Sequence, residues 1–232
     1  MKSLQEIIMK KKYQIYALSC MTLLYPGMAT AEDIKQFQRS WTGLYDERKI
    51  SVFIQSIDQK QVKGYSLLGA NKQNFSGAVK ATPKGYKVTA VESGAKNSSG
   101  TFIFTLNNQQ PNLIDVSWES ATGQVKPKYF DLKRQQCRYQ KNVGDYPEAS
   151  QRLLKDADLQ MSPEALDYMR NEIYARHGYS FTNKEWAQTF ANLEWYMPCS
   201  TNVDAQLTSI EKTNIDRIKK IQPYMSKMEW GR

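Results

Sequence analysis

The sequence has very few residues of the kinds that build metal sites and reactive centres. Its 232 residues include three Cys and a single His, His177. It also lacks a G-x-G-x-x-G loop, a Walker loop and an H-E-x-x-H motif. These absences argue against nucleotide-binding loops and Cys/His zinc sites. We therefore predict no catalytic residue, no metal and no cofactor, and favour a non-enzymatic protein.

Long apolar stretches are also missing, and one short stretch stands near the amino terminus. Three lysines at 10–12 precede the run YQIYALSCMTLLYPGM, which is shorter than the roughly 20 apolar residues that span a bilayer. A basic cluster, a short apolar run and a small-x-small site ending at Ala31 are typical of a secretory signal peptide. We predict cleavage near Ala31, a periplasmic or secreted bacterial location, and no transmembrane segment in the mature protein. Whether Cys20 is lipidated stays open.

Removal of residues 1–31 leaves two cysteines, Cys137 and Cys199. An even pair in an exported protein predicts a disulfide. The net charge of the whole chain is +9, and the removed segment contains four Lys and one Glu, so the mature chain has a net charge of +6. A positive balance outside the cytoplasm fits contact with anionic envelope polymers, and it serves solubility equally well.

Period-two alternation between residues 37 and 134 predicts antiparallel strands. In KISVFIQSI, for example, Ile50, Val52 and Ile54 share one face. Turn clusters such as TPKG and ESGAKNSSG separate these runs without a helical pattern between them, which indicates hairpins joined as a meander. Eight such strands can close into an up-and-down barrel, and a sandwich is the alternative. The expected strands lie near 41–46, 49–57, 60–69, 73–80, 85–93, 100–107, 112–119 and 127–133.

From Leu159 onward the apolar period changes to 3.6, and capping residues mark three helix starts. Ser162 precedes a proline at the first helical position, and Thr182 and Thr208 each begin a capping box. The expected helices lie near 163–177, 183–192 and 208–222, with the last one stopped by Pro223. The predicted fold is therefore α+β: a signal peptide (1–31), a barrel-like domain (32–135), a linker (136–158), a helical module (159–224) and a tail (225–232).

The helical module carries a motif that resembles a known family. The stretches RNEIYARHGYSF, NLEWYMP and LTSIEKTNIDRIKK resemble the YARHG domain family, which is named for the string from Tyr174 to Gly178. The resemblance implies an exported bacterial protein and no established molecular activity. Trp41-Thr42-Gly43, at the start of the predicted barrel, resembles the start of lipocalin-like (calycin) barrels in reversed order, with Arg134 as the expected partner of the Trp.

His177 can be interpreted as an acid–base residue or as part of a helix core. A nucleophilic enzyme would pair it with Ser or Cys, but Ser180 lacks the G-x-S-x-G context. Leu166, Met169, Ile173 and His177 lie at i, i+3, i+7 and i+11, which places them on one apolar stripe. We favour the structural interpretation, in which the imidazole bonds a free carbonyl in the last turn and Gly178 ends the helix.

The neighbours of His177 receive predicted roles from the same helix. Glu172 and Arg176 are four apart with the acid first, which predicts an exposed ion pair. Arg170 and Tyr174 are expected to reach Asn214 or Glu211 on the last helix, with Asn214 in a buried hydrogen-bonding role.

Our leading functional hypothesis is an exported binding or adaptor protein of the bacterial envelope. Its expected partner is an envelope polymer or another exported protein, not a nucleic acid. One alternative is a carrier of a lipid or small apolar ligand inside the barrel, and another is a hydrolase with His177 as general base. The candidate binding residues are Arg170, Tyr174, Arg176, His177, Tyr179 and Trp195.

Overall fold

The computed structural model describes residues 31–230. The predicted signal peptide, with Cys20, lies outside the described residues except for Ala31 itself. The described residues form a β-barrel followed by a unit of helices.

Eight antiparallel strands form a closed barrel, in which each strand pairs with the next and the last pairs with the first. All eight predicted strands are confirmed, with ends that differ by two residues or fewer, and the barrel arrangement is confirmed over the sandwich. The strands are β1 (Ser40–Tyr45), β2 (Arg48–Ile57), β3 (Gln61–Leu68), β4 (Asn71–Thr82), β5 (Gly85–Ser93), β6 (Gly100–Asn107), β7 (Leu113–Ser120) and β8 (Lys128–Arg134).

Large side chains fill the interior of the barrel. Ile50, Val52 and Ile54, which alternation placed on one face, are buried there together with bulky rings such as Phe102 and Phe104. An eight-stranded barrel has an interior just wide enough for its own side chains when no ligand is held. The filled interior removes the support for the carrier alternative, because the side chains occupy the space that an apolar ligand would need.

A short helix, α1 (Ala31–Lys35), precedes the barrel and contributes to its core. Ile34 and Phe37 are fully buried, and the ring of Phe37 stacks on the indole of Trp41 with centroids 6.1 Å apart. The indole Nε1 of Trp41 donates a hydrogen bond to the carbonyl of Phe37 at 3.2 Å. Arg134 lies opposite Trp41 in the pairing of β1 with β8, but it is exposed, so its packing over the indole stays a prediction.

The helical unit contains three longer helices, as predicted, and two short helical segments. The segments are α2 (Glu148–Gln151), a 3₁₀ turn (Asp156–Leu159), α3 (Pro163–Arg176), α4 (Lys184–Ala191) and α5 (Ser209–Trp230). Ser162 caps α3 as predicted, because its hydroxyl accepts the N–H of Ala165 at 3.3 Å.

Two predicted helix boundaries are wrong. Asn183, not Thr182, caps α4, and its side-chain oxygen accepts the N–H of Trp186 at 3.1 Å; Asn is the stronger of the two adjacent capping types. The last helix continues through Pro223 to Trp230. Proline removes one backbone donor, and the sequence offers no Gly or Asn soon after it to end the helix.

The segment predicted as a linker contributes to the core of the helical unit. Ala149 and Leu154 are buried in one cluster with Leu166 and Ile173 of α3 and Ile218 of α5. A second cluster surrounds Phe190, whose ring stacks on that of Phe181 with centroids 5.0 Å apart. The helical unit therefore draws its core from residues on both sides of position 159.

The helical unit packs against β2 and against the turn that follows β3. The ammonium of Lys49 donates to the carbonyls of Leu193 and Tyr196, both at 2.6 Å, and burial lowers the pKa of Lys49 to about 8. The hydroxyl of Ser180 donates to the carbonyl of Gly69 at 2.8 Å. Both carbonyls belong to the loop that follows α4, so Lys49 ties this loop to the start of β2.

Candidate functional site

The sequence motif lies at the carboxyl end of α3, inside the helical unit. His177 is the capping residue of the helix, and Gly178 follows it with a φ of 74°. A Cβ at Gly178 would lie 2.9 Å from the carbonyl oxygen of Met197, so glycine is required by both backbone conformation and space. The prediction that Gly178 ends the helix is confirmed.

Glu172 and Arg176 form an ion pair with both side chains fully buried, so the prediction of an exposed pair is wrong. The guanidinium also donates to the carbonyl of Val143 at 2.8 Å and to the hydroxyl of Ser150 at 3.1 Å. The cause of the error is the segment 143–150, which covers this face of α3 and could not be placed there from its turn-rich sequence.

The carboxylate of Glu172 is satisfied from the opposite side by backbone groups. It accepts the N–H of Asp145 at 2.6 Å and that of Tyr146 at 2.8 Å. Gly144 allows this approach, because its φ is 92° and a Cβ there would lie 2.0 Å from the carboxylate. Burial raises the pKa of Glu172, while Arg176 and the two backbone donors counter that effect. A buried charge is tolerated only with such full pairing.

His177 is hydrogen-bonded to a carboxylate of the last helix and not to a backbone carbonyl, so its predicted partner is wrong. Its Nε2 lies 2.8 Å from Oε2 of Glu211, and its ring stacks on that of Tyr139 with centroids 4.2 Å apart. The side chain of His177 is 3% exposed. Thr208 and Glu211 form the capping box that the sequence predicted at the start of α5. This capping box places Glu211 next to the end of α3.

Glu211 is held by three donors besides His177. The N–H and hydroxyl of Thr208 donate to it at 2.9 and 3.0 Å, and the hydroxyl of Tyr139 donates at 3.0 Å. Burial by itself would raise the pKa of Glu211, but the hydrogen bonds from His177 and Thr208 lower it to about 2. The side chain is therefore an ionised anchor that joins the two helices.

This arrangement gives no support to the hydrolase alternative. The imidazole of His177 is enclosed and its Nε2 is engaged, while the nearby hydroxyl of Ser180 donates to a barrel carbonyl. Cys137 and Cys199 are joined in a disulfide, as predicted, so neither is a free thiol. The motif thus supplies no accessible base beside a free nucleophile within the described residues.

Three further contacts predicted for this region have different outcomes. Asn214 is buried and bonded as predicted: it accepts the N–H of Leu154 at 2.9 Å and donates to the carbonyls of Ala149 and Arg152. Arg170 contacts Asp167 and Gln222, so its predicted contact with Asn214 or Glu211 is wrong. The ring of Tyr174 packs against that of Tyr179, which does not confirm its predicted contact with Asn214 or Glu211.

Two surface clefts lie beside the buried motif. The first, which we call the interdomain groove, has a volume of about 670 Å³ and lies between one end of the barrel and the helical unit. The backbone carbonyl of Trp195 is fixed there by the side-chain amides of Gln135 at 3.2 Å and Gln140 at 2.8 Å. The groove is lined by Asn112, Arg134, Gln135, Gln136, Arg138, Gln140, Glu194 and Trp195.

Of the residues that line the interdomain groove, only Trp195 was predicted as a binding residue. Arg134 and Arg138 were missed, because their positions come together with Trp195 only in the folded chain. The run QQCRYQ, polar and dense in amides around one Arg, was the signal available in the sequence.

The second cleft, which we call the tyrosine cleft, has a volume of about 360 Å³. It brings together Tyr174 and Tyr179, two of the predicted binding residues, with the loop that follows Cys199. Of the other predicted binding residues, Arg176 and His177 are buried and serve the core. The tyrosine cleft is lined by Asn171, Tyr174, Tyr179, Thr201, Asn202, Val203 and Asp204.

A comparison with known families identifies the family of the helical unit. The family model described as YARHG domain matches residues 144–223. These residues form a YARHG domain. The match begins at Gly144, so it includes the segment that buries Glu172 and Arg176. Searches among curated proteins and among solved structures found no match for the chain.

The family match bears on location but not on a specific activity. The YARHG domain is an extracellular or periplasmic type of domain. Over residues 31–230, none of the helices combines the length and apolar character that crossing a membrane requires. In the same residues, no three His, Cys, Asp or Glu side chains are grouped as metal ligands.

Proposed function

We propose that the protein is an exported, non-enzymatic binding protein of the bacterial envelope, and that it holds an anionic envelope polymer in the interdomain groove. The observation that carries this proposal is the unpaired guanidinium of Arg138, which lines the groove and has no hydrogen bond or ion pair within the described residues. Export follows from the predicted signal peptide and is supported by the type of domain.

The residues of the groove suit a carboxylate or phosphate on a sugar chain. Arg134 and Arg138 each present a planar fork of donors that matches such groups, and Arg134 is otherwise engaged only with Asn112 at 3.5 Å. Trp195 offers an indole that can stack on a sugar ring. Glu194 is the one carboxylate in the lining, so the two guanidiniums give the groove a positive balance.

The groove is also fixed in shape before any ligand arrives. Arg138 follows Cys137, which the disulfide ties to Cys199 of the YARHG domain. Gln135 and Gln140, on either side of Arg138, both bond the carbonyl of Trp195. A preformed site loses less conformational entropy on binding than a mobile one.

The proposal is tested by binding of the mature protein to polymers that differ in charge. Co-sedimentation with purified peptidoglycan sacculi and titration with hyaluronate oligosaccharides provide the anionic ligands, and dextran of matched length provides the neutral one. We expect binding to the anionic ligands that weakens as salt is added, because exposed charges are screened. Arg134→Gln with Arg138→Gln is expected to weaken it at least tenfold.

The matched control is Lys80→Gln with Lys84→Gln, which removes the same charge from exposed positions in the β4–β5 hairpin, outside the lining of the groove. It should bind as the wild type does. Equal binding of dextran, or unchanged binding by the double arginine variant, would overturn the proposal. Capture of a protein from envelope extract without any polymer binding would replace it with a protein partner.

A further inference from the structure

We propose that the tyrosine cleft is a site for an ammonium group, held between the rings of Tyr174 and Tyr179 and the carboxylate of Asp204. This proposal does not depend on what occupies the interdomain groove. It assigns a positively charged ligand to the outer side of the motif, whereas the interdomain groove is proposed to hold an anionic one.

The electrostatic character of the cleft is the first support. Asp204 is exposed and its carboxylate has no hydrogen bond or ion pair within the described residues. None of the described residues that line the cleft is Lys or Arg. The nearest basic side chain on α3, Arg170, is paired with Asp167. A cation entering the cleft would therefore meet an uncompensated negative charge.

The geometry of the two rings is the second support. The ring centroids of Tyr174 and Tyr179 lie 6.0 Å apart, and the ring planes are inclined at 58°. Rings inclined in this way do not form the flat platform on which a sugar ring stacks, whereas a compact cation can contact both. A cation within about 6 Å of an aromatic centroid is attracted by the ring quadrupole.

The position of Asp204 relative to the rings is the third support. Asp204 lines the same cleft as Tyr174; burial raises the pKa of that phenol, and the negative charge of Asp204 adds to the rise. The hydroxyls of both tyrosines have no hydrogen-bond partner within the described residues, so they remain available as acceptors for an N–H donor.

The loop that carries Asp204 is attached to the motif and is therefore fixed relative to the rings. Gly178 accepts the N–H of Cys199 at 2.7 Å, and Ser200 accepts the N–H of Ser180 at 2.7 Å. Asn202 accepts the N–H of Asp204 at 2.9 Å. The disulfide at Cys199 adds a covalent restraint at the base of the loop.

The test compares a charged probe with its neutral isostere on the full mature protein. Chemical-shift titrations of ¹⁵N-labelled protein with n-butylammonium and with n-butanol, at constant ionic strength, should show at least tenfold tighter binding of the ammonium. The shifts should lie at residues 174, 179 and 201–204. Equal binding of the two probes, or ammonium shifts confined to other residues, would overturn the proposal without any variant.

Variants then test the assigned residues. Asp204→Asn should weaken n-butylammonium binding at least tenfold, whereas Asp115→Asn, which makes the same change at an exposed position of β7, should leave it unchanged. An Asp204→Asn variant that binds as tightly as the wild type would overturn the role of the carboxylate. Nα-acetyl-lysine amide and glucosamine, titrated in parallel, show whether the ammonium group belongs to a peptide or to an amino sugar. Binding of N-acetylglucosamine in place of any ammonium would identify a neutral sugar site and contradict the proposal.

Discussion

At the scale of single residues, the charged members of the motif are part of the protein core. Arg176 is buried, and its guanidinium donates three hydrogen bonds, one each to Glu172, Val143 and Ser150. A buried pair of this kind contributes little net free energy compared with apolar residues of similar volume, but loss of one partner leaves the other charge uncompensated. The string Arg176-His177-Gly178 therefore specifies how the chain folds around the end of α3.

Replacement of Arg176 by Met tests this role. We expect the free energy of unfolding to fall by about 3–5 kcal/mol, because Glu172 would stay buried without its partner. Urea unfolding followed by circular dichroism measures the change. The control is Lys128→Met, which breaks the partly exposed pair with Asp46 and should cost no more than about 1 kcal/mol. Equal effects of the two substitutions would contradict the buried role of Arg176.

At the scale of helices and strands, the sequence predicted where elements begin and end better than what covers them. Alternation such as that of Ile50, Val52 and Ile54 is a local signal, and it located all eight strands. Capping residues such as Ser162 are equally local, and they marked the helix starts to within one residue. Spacing of four residues indicates that Glu172 and Arg176 can pair, but it contains no information on whether another segment lies over them.

The two clefts also could not be fully predicted from local patterns, because they depend on how distant segments pack. Arg134, Arg138 and Trp195 belong to the end of the barrel, a connecting segment and the loop after α4. Their proximity depends on the docking of the YARHG domain against β2, to which no local pattern points. The tyrosine cleft was found in part, because Tyr174 begins the motif and Tyr179 follows it, whereas Asp204 lies in a loop whose position the sequence left open.

The junction of α3 and α5 gives a prediction at this scale, since Glu211 joins the two helices. Its pKa in the folded protein is about 2, below its ordinary value of 4.5. A carboxyl group with a lowered pKa in the folded state stabilises the protein above about pH 4.5, and the contribution is lost as the pH falls toward 2. The difference in unfolding free energy between wild type and Glu211→Gln should therefore shrink by roughly 2–3 kcal/mol between pH 5 and pH 2.

Thermal or urea unfolding over that pH range measures the effect. His177→Ala provides a second variant, which removes the partner of Glu211 and should cost about 1–3 kcal/mol at pH 7. A difference between wild type and Glu211→Gln that stays constant from pH 5 to pH 2 would show that the carboxylate is not the ionised anchor of this junction.

At the scale of the whole molecule, one covalent link connects the segment after the barrel to the YARHG domain. The disulfide joins Cys137 to Cys199, 62 positions apart. Cys137 stands between the barrel and Arg138 of the interdomain groove, while Cys199 begins the loop of the tyrosine cleft. One disulfide therefore lies close in sequence to a residue of each proposed site.

Removal of the link by Cys137→Ser with Cys199→Ser should lower the free energy of unfolding by about 2–4 kcal/mol, largely because the unfolded chain regains conformational freedom. Calorimetry of oxidised wild type and the variant gives the stability, and titration of free thiols after denaturation without reductant should find none in the wild type. Two titrated thiols in the wild type would contradict the disulfide. A variant as stable as the wild type would show that the link does not restrain the unfolded chain.

The closure of the barrel has a consequence for how any protein partner can bind. Where β8 pairs with β1, at Trp41 and Thr42, the sheet presents no free edge along which an extended peptide could add a further strand. Recognition by main-chain hydrogen bonds of that kind is one of the commonest ways in which β-rich domains capture peptides. Over the closed part of this sheet a protein partner meets side chains and not free strand backbone, so binding there should respond to single substitutions on the barrel surface.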